Sequence, residues 1–541
     1  MGRRLARRLL PGVVGLSLAG CRLDTSAGPG VPPLPPLDLT AAQEAAKAPP
    51  PPRPAEPKVP TPQPGRFGQR LEVPPEIPGA NTPPLRLPPP DPARREERDR
   101  IIAELYANLP PLPRDPVPTE GPRVSLTDLQ NRAMATHPTI RQAAAAVESA
   151  RGNAIQVGLP PNPSFGFEAD TIGSGGTAGQ QGAKYEQLIK TAGKLRLAQA
   201  AALVDVVNAQ VALRRAQIDL ATNVRSGYFA VLVAEENLRL AHALGRFAEA
   251  MYRVQVDQVR GGQAAAYEPL TMRALAEQAR LTLNQARNRY QAAWRQLAAA
   301  VGDPDLGPVP LAGSAFMEVP DLDYDAVRGR MLAQHTDLLT AANNVIKARY
   351  TLRSAQVTPI PDVSLKLVVQ KDYTTPPFYT TANVEVGVPV PVWDRNQGGI
   401  KQAGADLARS IDDIPRARLD LLNRLADAAE RYQSNRLIVD AYLKQILPDQ
   451  VRAYRGVVQR SQQEPDRASF GDIVTAQQQL NTYITTYLTA LQAQWQAVVD
   501  VAALAQLDDL YLPADATAGP GCGPLVPAIP RPVVLPALTP A

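Results

Sequence analysis

The sequence predicts a mainly α-helical chain that also carries four membrane-type β-strands, to be shared with other copies of itself. Three observations carry this reading. The body of the chain contains itself twice. Each copy switches from an apolar strand into a helix tens of residues long, as in "VEVGVPVPVWDRNQGGIKQAGADLARS" from Val384. The strands have membrane length, with one apolar and one polar face.

From the N-terminus, "MGRRLARRLLPGVVGLSLAGC" places arginines before a short apolar run that ends in small residues. This reads as an export signal over residues 1–20, too short for a spanning helix. Leu18-Ala19-Gly20-Cys21 resembles a bacterial lipobox. That resemblance implies cleavage before Cys21 and acylation there with palmitate-type chains. The alternative is an ordinary signal peptide that happens to contain a cysteine. Residues 21–121 hold many of the 56 prolines and read as an extended, disordered linker, a tether between lipid anchor and folded body. The alternative is a set of docking motifs for a polyproline-binding partner. The tail, 512–541, is rich in Pro and Gly.

The two cysteines are Cys21 and Cys522. With Cys21 acylated no intrachain disulfide can form, and Cys522 is a free thiol in the tail. The net charge is +5, with much of the basic excess in the signal. No basic face with interleaved aromatics appears, which argues against nucleic-acid binding. No later segment has the run of about 18 apolar residues that a membrane helix needs, which leaves a closed β-barrel as the way across a membrane.

The internal repeat is read at a constant offset of 198 residues: His137 matches His335, Val147 matches Val345, and Pro161 and Pro163 match Pro359 and Pro361. After the strands the offset is 204 to 205, with Tyr228 matching Tyr432 and Ala198 matching Ala403. Repeat 1 covers 122–305, a Pro/Gly connector 306–321, and repeat 2 322–511. Each repeat reads helix, strand, loop, strand, long helix, turn, helix.

Along "SFGFEADTI" Phe165, Phe167 and Ala169 oppose Ser164, Gly166, Glu168 and Asp170. Along "DVSLKLVVQ" Val363, Leu365, Leu367 and Val369 oppose Ser364, Lys366 and Gln370. A third strand carries Val384, Val386, Val388, Val390 and Val392 on one face; the fourth, around 183–189, alternates poorly. A soluble sheet packed on the helices would alternate in the same way. Tyr185, Tyr373, Phe378, Tyr379 and Trp393 near the strand ends suit an interfacial aromatic belt. Four strands cannot close a barrel, and open edges in lipid strand backbone groups at several kcal/mol each. The smallest common membrane barrel has about eight strands, so several chains must share one.

From Gly193 to about Arg260 there is no proline, and Leu220, Val224, Tyr228, Val231, Ala234, Leu238 and Ala241 step by three and four. Such a helix runs about 100 Å. Its counterpart runs from about Gln397 to Gln463, with kinks expected at Pro415 and Pro448. A soluble coiled coil would show the same stripe.

At this point the chain resembles the outer-membrane factor family, of which TolC is the best-known member. The residues that carry the resemblance are the lipobox ending in Cys21, the opening at His137, "NPSF" at Asn162, "VPVPVWDRNQGGIKQAGADL" at Val388, "ILPDQ" at Ile446 and "RASFGDIVTAQ" at Arg467. It covers both repeats; the long Pro-rich segment has no counterpart in the family's usual pattern. The resemblance implies a homotrimer, with four strands per chain in a shared twelve-stranded β-barrel and long antiparallel helices in a trimeric α-barrel. It implies an outer-membrane exit duct of a tripartite efflux or type I secretion system, lipid-anchored and extending into the periplasm. The partners would be a periplasmic adaptor protein, an inner-membrane transporter of RND or ABC type, and outer-membrane lipid. No cofactor is expected.

The family closes its channel at the turns between the long helices and those that follow. Asp472 matches an acidic position that forms a constriction ring in some members, and Glu268 takes the equivalent place in repeat 1. The alternative for Asp472 is a solvated acid at a helix start. Asp466 and Thr475 depart from the family pattern, so gating can differ. Arg260, Gly261, Gly262, Ser469 and Phe470 are the candidates for the adaptor-docking tip.

An enzyme is not expected. His137, His242 and His335 lie far apart, no Ser/His/Asp motif is recognisable, and no Cys/His spacing suits a metal. The competing function is a lipid-anchored helical spacer of the cell envelope without a pore.

Overall fold

The computed structural model describes residues 74–83, 85–88, 94–114, 116–118, 121–463 and 470–510. The signal segment, Cys21 and the tail with Cys522 lie outside them. The chain divides into two units, Met1–Pro84 and Leu85–Ala541. In the first, 74–83 make consecutive turns closed by Ile77 N–H to Pro74 C=O and Ala80 N–H to Ile77 C=O, each 3.0 Å. All that follows concerns the second.

Its helices are α1 Arg95–Leu105, α2 Leu126–Thr136, α3 Pro138–Gln156, α4 Lys194–Arg260, α5 Glu268–Val301, α6 Tyr324–Gln334, α7 Thr336–Val357, α8 Gln397–Ala441, α9 Leu447–Gln463 and α10 Phe470–Leu504. The strands are β1 Ser164–Asp170, β2 Gln180–Ile189, β3 Val363–Asp372 and β4 Thr380–Gly387. Repeat 1 is α2 to α5 with β1 and β2; repeat 2 is α6 to α10 with β3 and β4.

The long helix of repeat 1 is one unbroken element of 67 residues. It starts where Gly193 takes a left-handed conformation (φ 66°), a turn that lets the chain swing from strand to helix. Asn396 (φ 56°) does the same ahead of α8. In repeat 2, Pro415 is accommodated inside α8, while the helix widens into a π-turn at Tyr442–Ile446. Pro448 explains that turn: its ring crowds the Lys444 carbonyl four residues back and offers no N–H to it.

His137 and His335 stand as N-caps of α3 and α7. Each Nδ1 accepts a backbone N–H, from Thr139 at 3.2 Å and from Asp337 at 3.1 Å. The predicted stripe on α4 is buried, with Ala234 half-buried, and the core gathers around it. Phe229 of α4 stacks on Trp495 of α10, centroids 4.0 Å apart and planes 5° from parallel. Trp294 Nε1 donates to Leu306 O and Trp495 Nε1 to Ala315 O, both at 2.9 Å, so the connector is pinned from both repeats. Arg225, buried, donates to the carbonyls of Leu507 and Asp508 and ties the end of repeat 2 to α4.

Two expectations are corrected. The last part of the 21–121 segment is not an extended linker: α1 is helical, and Ile102 and Tyr106 are buried against α4 and α5. β4 ends at Gly387, so Val388, Val390 and Val392 are not ladder residues. Pro389 and Pro391 have no N–H to donate, and the ladder stops before them.

Candidate functional site: the channel wall and its tip

The four strands form one antiparallel sheet in the order β1-β2-β3-β4. The two repeats meet between β2 and β3, with Tyr185 opposite Leu367 and Ala183 opposite Val369. β2, whose sequence alternates poorly, is ten residues long. Both hairpin loops lie at the end of the sheet away from the helices and are joined there, Tyr373 N–H donating to Gly179 O at 2.9 Å. Among the described residues β1 and β4 each have one edge without a neighbour.

The sheet's faces differ in chemistry. Phe165, Phe167, Leu367, Val369, Val384 and Val386 are all exposed on one face, Phe165 by 78 % and Val384 by 67 %. Among the described residues no element of this unit covers them. The opposite face carries Glu168 and Lys366 as an ion pair at 2.8 Å and Lys184 and Glu186 at 3.2 Å. Tyr373, Phe378 and Tyr379 cluster at the hairpin end, and Trp393, 88 % exposed, marks the helix end. Tyr185 sits within the sheet and packs on Phe165, centroids 5.1 Å apart. Among the described residues no helix is long and apolar enough to cross a membrane.

A latch that the sequence reading missed joins the repeats where sheet becomes helix. The Asp362 carboxylate accepts from Lys190 Nζ and Lys194 Nζ, each at 2.8 Å, and from Thr191 N–H at 3.1 Å. Burial pushes its carboxyl up, but the two ammonium groups and the N–H outweigh this and hold it far below the usual carboxylate range. The signal available in the sequence was a lysine pair just past the end of one strand and an aspartate just ahead of its neighbour.

At the far end of α4 the chain turns through Arg260, Gly261 and Gly262. Gly262 is left-handed (φ 74°), and Gln263 N–H to Gln258 O (2.9 Å) with Gly262 N–H to Val259 O (3.1 Å) completes a helix-ending motif. Arg260 is exposed and pairs with Asp257 at 3.1 Å. Glu268 opens α5, half-buried, its carboxylate accepting Ala265 N–H at 3.3 Å. Asp472 lies exposed in the first turn of α10, as Glu268 lies in the first turn of α5. Ser469 lies outside the described residues; Phe470 is the first residue of α10.

An amphipathic sheet with two edges unpaired among the described residues, carried on helices about 100 Å long, is the architecture expected of an outer-membrane channel subunit of helical-barrel type. Comparison with known proteins agrees. Residues 129–303 match the family model described as outer membrane efflux protein. The cobalt-zinc-cadmium resistance protein CzcC of Cupriavidus metallidurans is 24 % identical over 412 residues, 73 % of this chain and 91 % of that protein. A membrane protein of Pseudomonas aeruginosa shares the fold at a TM-score of 0.61 and 17 % identity, covering 74 % of this chain and 99 % of that one. The CmeC outer membrane channel of Campylobacter jejuni does so at 0.59 and 16 %, covering 74 % and 95 %. Over residues 129–303 the chain thus matches the outer membrane efflux proteins, and across both repeats it is similar to the TolC-like family.

Proposed function

We infer that three copies of this chain form the outer-membrane exit duct of an export system. Each contributes its four strands to a shared twelve-stranded β-barrel and its long helices to a hollow α-barrel in the periplasm. The observation that carries this reading is the exposed apolar face of the sheet between two free edges. In water that face is a liability; in lipid the edges must be paired, and neighbouring copies can pair them. The charged face then lines a wet lumen.

An acylated Cys21 anchors the N-terminus in the outer membrane. The tip around Arg260, Gly261, Gly262, Ser469 and Phe470 docks a periplasmic adaptor, which bridges to an inner-membrane transporter of RND or ABC type. Asp472, with Glu268, forms the constriction, where three acids around an axis favour cations. The name of the CzcC relative makes divalent metal ions the first cargo to test. Reconstitution in planar bilayers tests the duct: stepwise conductance from a trimeric species supports it, and a monomer without conductance refutes it. Palmitate labelling that disappears in Cys21→Ala tests the anchor.

A further inference from the structure

The segment ahead of repeat 1 makes contacts that repeat 2 does not duplicate among the described residues. α1 and its C-cap residue Tyr106 bury a stripe at helical spacing, Arg98, Ile102 and Tyr106, against the last turns of α4 and the first of α5. Three hydrogen bonds fix it there. Arg98 Nη2 donates to Val259 O at 2.7 Å, at the end of α4 where the helix dipole favours a cation. Tyr106 Oη donates to Ala266 O at 2.5 Å, inside the turn between the helices. Tyr252 Oη donates to Ala107 O at 3.0 Å. Further along, Leu112 fills a notch at Gly245, where an added Cβ would meet it at 3.3 Å. The segment thus runs from the hairpin tip back to the connector, where Val124 bridges Leu311.

The clasp has a built-in weakness. Gln255 shares the buried face of α4 with Tyr252, Val256 and Val259 and is 0 % exposed. Neither its Oε1 nor its Nε2 has a protein partner among the described residues, and neither does Arg98 Nε. Burying an amide without a partner opposes closure, because water satisfies it once the face is uncovered. The same turn carries Arg260, Gly261 and Gly262 and leads into Glu268.

We propose that residues 94–112 form a releasable strap that holds the tip of the first helical hairpin and so sets the inner aperture of the channel; this rests on the duct reading. Ile102 and Tyr106 are its anchors, Arg98 ties it to the end of α4, and Gln255 is the group that makes its release favourable.

The test uses the full-length protein in lipid with two readouts, hydrogen exchange over 259–268 and single-channel conductance. Ile102→Asp lifts the strap: exchange rises about tenfold and the open state is more populated. Gln255→Leu removes the unpartnered amide and does the opposite, slowing exchange and lowering open probability, which a merely misfolded protein does not do. Unchanged exchange in Ile102→Asp overturns the clasp. Faster exchange with unaltered conductance overturns its gating role. Absence of any channel from the unaltered protein sinks the duct reading and the gating role with it, while the exchange data still report on the clasp.

Discussion

Tyr228 and Tyr432, which occupy matching places in the two repeats, both donate their hydroxyls to the connector, Tyr228 to Ala312 O and Tyr432 to Pro320 O at 2.8 Å. With Trp294 and Trp495 they hold the Pro/Gly connector to both halves of the core. A segment without regular structure of its own is thereby given a fixed course, and its buried carbonyls are satisfied.

Removing one of these hydroxyls leaves a carbonyl short of its donor. Tyr432→Phe is expected to cost about 1 kcal/mol locally, or about a fivefold rise in exchange over 306–321. Hydrogen exchange on the reconstituted protein checks this; an unchanged connector would mean that Tyr228 and the tryptophans hold it without Tyr432.

The latch at Asp362 sets a second expectation. Asp362→Asn leaves Lys190 and Lys194, which meet at one carboxylate, without their counter-charge, and is expected to cost about 2 kcal/mol. The folded carboxyl lies below its unfolded value, so its contribution is complete above the ordinary carboxylate range. It is lost only as pH falls through the depressed folded value. Thermal unfolding in detergent should therefore show the difference between wild type and Asp362→Asn persisting in mild acid.

His335 titrates with the opposite chemistry but the same sense. Burial lowers its pKa below 6.5, the neighbouring Asp337 raises it, and Arg215 and Arg424 lower it further. Its Nδ1 must stay unprotonated to accept the Asp337 N–H. Because the unfolded chain takes up the proton first, stability falls as pH drops below 6.5. His335→Asn keeps an N-cap acceptor and should flatten that part of the melting-temperature profile. A profile unchanged by the substitution would remove His335 from the linkage.

At the tip, Asp472→Asn should weaken cation preference and block by polyvalent cations. Bilayer reversal potentials in a salt gradient measure this, and identical potentials would take Asp472 out of the constriction.

Much of the fold was legible because it is written in local periodicity. The stripe from Leu220 to Ala241, the proline-free run from Gly193 and the Ala-rich helix openings at His137 and His335 all signal through neighbours a few residues away. The strap did not, because its partners are distant: Arg98 meets Val259, and Tyr106 meets Ala266. In "REERDRIIAEL" two isoleucines among charges give a weak stripe, and prolines on both sides swamp it. The valines after Gly387 misled in the other direction. Side-chain alternation continued where the missing N–H groups of Pro389 and Pro391 had already ended the ladder. The Asp362 signal was easily missed for a third reason, since its lysines come from the other repeat.

The central claim is that β1 of one copy pairs with β4 of the next. The direct test places a photo-crosslinking residue at Phe167, on the β1 edge, in the lipid-reconstituted protein and maps the products by mass spectrometry. The expected result is attachment to Thr380–Gly387 of a different chain, in a series that stops at three copies. Attachment confined to one chain, or a protein that stays monomeric in lipid, would contradict it.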